Sequence, residues 1–159
     1  MHPDVETYSY FIRKRIDSIR ECLPPLNEDQ INRAPPVKGA NSAFVIATHV
    51  LGNARAWVLG IACGRELKRD RPAEFAARGT LADFDKAASV LSSQIESALC
   101  ELDPAQLDRR FKPSQELWGE GEPREVTARR ALADVLEHAA LHLGQVQPTR
   151  DWVLSEAAV

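Results

Sequence analysis

Arg129-Arg130-Ala131-Leu132-Ala133-Asp134-Val135-Leu136-Glu137-His138-Ala139-Ala140-Leu141-His142-Leu143-Gly144-Gln145 is the stretch on which the fold turns. Leu132, Val135, Leu136, Ala139, Leu143 and Val146 make an apolar stripe at the period of a helix, about 100° per residue. His138 and His142 fall on the edge of that stripe, with Gln145 beside them. Side chains at i and i+4 stand one turn apart on a helix face, so the two imidazoles can converge on one ion. Thr127 is suited to cap the first turn. Pro148 lacks an amide hydrogen and its ring meets the preceding turn, which predicts a break or kink about one turn beyond Gly144.

Three more long helices are read upstream. The first covers about Asp4 to Leu23, with Val5, Tyr8, Phe11, Ile12, Ile16, Ile19 and Leu23 on one face and Pro24-Pro25 as its stop. Asn27 to Asn32 can form one short turn. The second long helix starts at Asn41-Ser42 and ends at about Cys63, before Gly64. It is apolar around nearly its whole circumference, which predicts a central, covered element. The third opens at Thr80-Leu81-Ala82-Asp83 and stops before Pro104, with Phe84, Ala87, Ala88, Leu91, Ile95, Ala98, Leu99 and Leu102 on one face. Residues 104–127 carry Pro104, Pro113, Gly119, Gly121 and Pro123 and read as a long connection, of the kind that often contributes to a binding site. No strand is predicted. The expected architecture is all-α, an antiparallel four-helix bundle with a long crossover loop, as a single domain spanning 1–159.

The composition fits an ordinary globular protein of 159 residues, 44% hydrophobic and 27% charged. A net charge of -3 gives no nucleic-acid footprint, and Arg69-Asp70-Arg71 and Arg129-Arg130 read as solvated surface. The longest apolar stretch, about Ala43 to Cys63, is interrupted by His49, Asn53 and Arg55, which favours a buried helix over a membrane span. The acidic start, Met1-His2-Pro3-Asp4-Val5-Glu6, is unlike a signal peptide. Cys22, Cys63 and Cys100 lack metal-finger spacing and read as core thiols in a reducing, cytoplasmic setting.

A lone helical histidine is ordinarily a surface or hydrogen-bonded core residue. The pair His138/His142 shifts that balance, and His49, set in the apolar run Phe44-Val45-Ile46-Ala47-Thr48-His49-Val50-Leu51, shifts it further. An imidazole buried there without a partner costs free energy, and an ion would supply one. A third imidazole from a facing helix gives three neutral nitrogen ligands with positions open for water or substrate. The site is not a zincin, since Ala139 stands where the general-base Glu of that motif would be. Nor is it a di-iron bundle, which needs several inward carboxylates.

On these residues the chain resembles the DinB/YfiT-like superfamily of metal-dependent proteins. That family's C-terminal signature, a His, three residues, a second His, one residue and Gly-Gln, matches His138, His142, Gly144 and Gln145. Asn41-Ser42 through His49 to Trp57 is similar to its second helix, where the first metal-ligating His lies. Leu26-Asn27-Glu28-Asp29-Gln30, followed by Pro35, is similar to its first interhelical loop. The resemblance implies that His49, His138 and His142 hold one divalent ion, zinc, nickel or iron, in a four-helix bundle that is often a homodimer. It also implies an external low-molecular-weight thiol, since some relatives are transferases or isomerases using mycothiol, bacillithiol or glutathione.

The expected function is therefore a divalent-metal-dependent enzyme, a thiol-dependent transferase or isomerase, with its three-histidine site between the second and fourth long helices. Its partners are a small-molecule substrate or thiol, with no nucleic acid and no membrane. The alternative is a non-catalytic metal- or small-ligand-binding, stress-associated protein. Asn53 and Gln145 are the candidate cofactor-binding side chains, with helix packing as their simpler reading. Asp134 could accept a ring N–H one turn before His138, although a solvated role is simpler. Trp118 reads as an anchor for the long loop, and Trp57 and Trp152 as packing residues. No cysteine lies near the histidine pair in its helix, so a thiol would come from outside the chain.

Overall fold

The computed structural model describes residues 1–156. Helix α1 (Pro3–Cys22) buries Val5, Ile12, Ile16, Ile19 and Cys22, while Phe11 sits at the margin of the expected stripe, 41% exposed. The short α2 (Glu28–Ile31) is closed by reciprocal bonds between Asn27 and Gln30. Helix α3 (Ala43–Ala54) begins at Ser42, whose hydroxyl accepts from the Val45 amide. It runs on without a break as a wider π-helical segment, Arg55–Ala62, in which the Cys63 amide reaches back five residues to the Val58 carbonyl at 2.9 Å. Such widened turns are rare and often stand at functional sites. Gly64, at φ +68, takes the left-handed conformation that ends the helix. The segment Ala43–Ala62 is long and apolar enough to cross a membrane, yet 83% of its most apolar window is buried inside the protein, as expected for a core helix.

Several short elements fall outside the sequence expectation, the first of them beside His49. Helix α4 (Arg71–Phe75) is capped by Asp70, which accepts from the Ala73 amide, and carries Pro72 in its first turn. Helix α5 (Leu81–Glu101) opens on reciprocal bonds between Thr80 and Asp83, and buries Phe84, Ala88, Leu91, Ile95, Ala98 and Leu99. The connection after it holds a 3₁₀ turn at Pro104–Gln106 and α6 (Gln115–Trp118), capped by Ser114. It also holds a two-residue antiparallel ladder, β1 (Arg110–Phe111) on β2 (Val126–Thr127), pairing Arg110 with Thr127 and Phe111 with Val126. Strands this short leave no alternation to read in a sequence. Thr127 caps α7 (Ala128–Glu156) through the Arg130 amide at 3.1 Å.

Of the break or kink expected at Pro148, the break is corrected, because α7 continues through it to Glu156. The lost hydrogen bond is the one to the carbonyl of Gly144, a residue with no side chain to crowd the ring. Val146, Thr149 and Val153 are all buried around that point, so tertiary packing overrides the local penalty. Cys100 corrects a second expectation, since it is exposed whereas Cys22 is buried and Cys63 half-buried, all three as free thiols.

The protein is all-α, with little sheet among the described residues. α1 packs against α5 and α7, and α3 with its π-helical extension packs against the same two helices. His49 on α3 and the His138/His142 pair on α7 meet where those two helices touch.

Candidate metal centre

The three histidines that the sequence singles out come together, each presenting Nε2. His49 Nε2 lies 3.1 Å from His138 Nε2, which lies 3.1 Å from His142 Nε2, and the three ligand atoms fall within 4.8 Å of one another. His49 is buried, and His138 and His142 are half-buried. No other group of three potential ligands of this kind occurs among the described residues.

The outer nitrogens fix the proton on two of the rings. His49 Nδ1–H donates to Glu74 Oε2 at 2.7 Å, and His142 Nδ1–H donates to Gln145 Oε1 at 2.7 Å. In the neutral ring the remaining nitrogen then carries a lone pair. His138 Nε2 faces two such lone pairs and could offer a proton to only one of them. A divalent cation satisfies all three, so the donor set fits a metal. His138 Nδ1 is itself buried without a partner among the described residues.

Glu74 and Arg69, which the sequence reading did not single out, join the candidate site behind His49. Arg69 grips the Glu74 carboxylate through Nε to Oε1 at 2.7 Å and a second guanidinium nitrogen to Oε2 at 2.9 Å, both side chains nearly buried. The Arg69 amide is held in turn by Glu116 Oε1 at 2.9 Å, which ties the chain to α6. Arg69 is therefore not the solvated surface residue expected from Arg69-Asp70-Arg71. Burial pushes the Glu74 carboxyl up, but the bonds from His49 and Arg69 outweigh it and hold it below the usual range. A stable carboxylate behind His49 orients the ring and raises its basicity as a ligand. Phe75, next in sequence, places its ring 4.7 Å from that of His49 and covers one side of it.

Gly52 makes room for this carboxylate. A Cβ at position 52 would overlap the Glu74 carboxyl group. Gly52→Ala is expected to push Glu74 off His49 and lower metal affinity by roughly 10–100-fold, the usual effect of losing such a partner. Calorimetric titration of the metal-free variant checks this, and wild-type affinity would refute it.

The remaining candidates divide. Gln145 stands beside His142, and its amide oxygen is committed to that ring. Asn53 is buried on α3 one turn beyond His49. Asp134, half-buried, pairs with Arg130 at 2.7 Å and makes no bond to His138, whose Nδ1 has no partner among the described residues. Trp118 packs on Trp57, ring centroids 5.1 Å apart, and so anchors the connection. Burial raises the Cys22 thiol and pushes Cys63 up to about 11, so neither is poised as a nucleophile.

Burial, followed by the neighbouring His142 and His49 rings and Arg69, holds His138 down at about 3 from an ordinary 6.5, and burial also lowers His142. Between those values the unfolded chain binds protons that the folded metal-free protein does not, so folding stability falls as pH drops below 6.5. The denaturant midpoint of the metal-free protein is expected to decline from pH 6.5 toward 4.5, above the range where Glu74 titrates. His138→Gln should flatten that decline; a wild-type midpoint constant over this window would refute it.

Three imidazoles converging between two core helices, with a buried carboxylate behind one of them, form a group that could hold a metal ion. The chain matches the family model of mycothiol S-transferases over residues 7–153, and it belongs to that family. The match bears out the DinB/YfiT-like resemblance read from the sequence. No curated protein matches the chain.

Proposed function

We propose that this protein is a divalent-metal-dependent thiol S-transferase whose metal is held by His49, His138 and His142. The observation that carries the reading is the convergence of three Nε2 atoms, two of them left as lone pairs by the bonds at Nδ1. Zinc, nickel and iron all accept imidazole nitrogen, so the donor set leaves the element open among them. When bound, the ion supplies Lewis acidity that lowers the pKa of a thiol brought to it.

The chain's own residues prepare that chemistry. Three neutral imidazoles leave the charge of a divalent ion uncompensated, which favours an anionic partner such as a thiolate. Glu74 and Gln145 hold His49 and His142 in the ligating tautomer, and Arg69 keeps Glu74 ionised. In this reading Asn53 and the free amide nitrogen of Gln145 orient the thiol or its acceptor. In the transfer, the thiolate sulfur forms a bond to an electrophilic carbon and the leaving group departs with its electron pair. The thiol comes from outside the chain; mycothiol is the one the family name indicates.

The same reading takes the four long helices as an antiparallel four-helix bundle, in one domain, with residues 104–127 as its crossover. It places the protein in the cytoplasm, in keeping with three free thiols. A homodimer completes it, supported by Tyr10 and Phe11 of α1 and Val90 of α5, exposed on neighbouring helices, and checked by light scattering.

The test is thioether formation from mycothiol and an activated aryl halide, with and without the metal. Activity that is lost on chelation while the helical signal and melting temperature are largely retained supports a catalytic site. Full metal loading with no transfer across a panel of thiols and electrophiles would overturn it in favour of a non-catalytic binding protein. A melting temperature that collapses on chelation would instead mark a structural ion.

A further inference from the structure

A cavity of about 460 Å³ lies beneath the connection between α5 and α7, lined by Trp57, Trp118, Arg110, Arg124, Arg130 and Asp134 among others. It shares the α3–α7 seam with the histidines. Trp57 is eight residues beyond His49, and Asp134 is four before His138. At the helical rise these offsets are roughly 12 and 6 Å along the axis.

Its chemistry is dominated by hydrogen-bond donors. Trp57 is only 9% exposed, and its indole N–H is buried with no acceptor among the described residues. An unmet buried donor of this kind costs free energy until something accepts from it. Arg130 is committed to Asp134 at 2.7 Å. Arg110 reaches Glu125 only at 3.8 Å, and Arg124 has no ion-pair partner among the described residues. Three guanidinium groups against two carboxylates leave one positive charge in excess. Indole and guanidinium groups donate and never accept, and with Asp134 committed to Arg130 and Glu125 set against Arg110 and Arg124, the excess of donors and of positive charge favours an anion. A planar carboxylate matches the fork of an arginine, and Trp57, which lines the same cavity, carries the unmet N–H.

We propose that this cavity is a carboxylate subsite, holding the anionic end of a substrate whose reacting end lies at the three histidines. The carboxylate site stands on the cavity alone; its connection to a reaction rests on the thiol-transfer reading. Arg124 and Trp57 are the residues that select the anion. Neither is a metal ligand.

Calorimetric titration with adipate tests it on the metal-loaded protein, with uncharged adipamide as the control. Adipate is expected to bind saturably and adipamide not to. Arg124→Gln, at an exposed position, and Trp57→Phe, which keeps the ring but removes the N–H, should each weaken adipate at least about tenfold, the loss of one hydrogen bond to a charged group. The same titration on His138→Ala separates the two proposals. Adipate binding that persists there and still depends on Arg124 supports the subsite even if the metal reading fails. Equal binding of adipamide, or adipate binding unchanged by both cavity variants, overturns it. Binding that disappears with the metal and ignores Arg124 overturns it too, by placing the carboxylate on the ion.

Discussion

His138→Ala, purified without a polyhistidine tag, is expected to carry almost none of the divalent ion that the unaltered chain carries at about one per molecule. Its ring is the middle one of the three, 3.1 Å from each of the others at Nε2. Without it, His49 and His142 stand on different helices with no shared neighbour to close the set. The loss should exceed the roughly 10–100-fold that an outer partner of a ligand costs. His49→Ala and His142→Ala are expected to follow, read by elemental analysis. Full occupancy in all three variants would end the assignment. The helical fold should survive in His142→Ala, whose ring is half-buried, and circular dichroism separates lost metal from lost structure.

Glu74→Ala carries the second large effect, on stability as well as on the site. It leaves the Arg69 guanidinium, 3% exposed, without its counter-charge. Removing one partner of a buried ion pair costs about 3–5 kcal/mol. For a chain of this size that is a fall in melting temperature of roughly 6–20 °C. Metal affinity should also drop roughly 10–100-fold, because His49 loses the acceptor at its Nδ1. The double variant Arg69→Met, Glu74→Leu distinguishes the two roles. Replacing the whole pair by apolar side chains is expected to restore most of the melting temperature but none of the metal affinity. Recovery of both would make Glu74 a packing residue only.

How this site could be read in advance depends on where each part is encoded. His138 and His142 lie on a helix whose apolar period is clear, so the period itself aims them inward. His49 is conspicuous as a polar interruption in an apolar run. The caps at Ser42, Thr80 and Thr127 are local chemistry and stand where expected. Arg69 and Glu74 lie in a segment with no apolar period, and their meaning comes from partners outside it. Charged residues there look like surface until α3 is packed against them. The one local signal was Asp70 followed by Pro72, a helix start that a five-residue element is too short to confirm. Pro148 misled for the opposite reason: a strong local rule gave way to the burial of Val146, Thr149 and Val153 around it. The two-residue ladder could not have been seen, since its pairing joins positions on either side of α6.

The distance along the chain between His49 and His138, 89 positions, sets an order of events in time. His138 and His142 become neighbours as soon as one turn of α7 forms, and helices form in about a microsecond or less. His49 joins them only when α3 and α7 have docked, after a long segment of chain has closed. A two-histidine grip is weak, so tight capture of the ion waits for that docking. Uptake of the metal during refolding should therefore trail the appearance of helical signal and coincide with the burial of Trp57. Under the proposed function the ion would arrive last, as a reporter that the chain has finished folding and not as the template around which it folds.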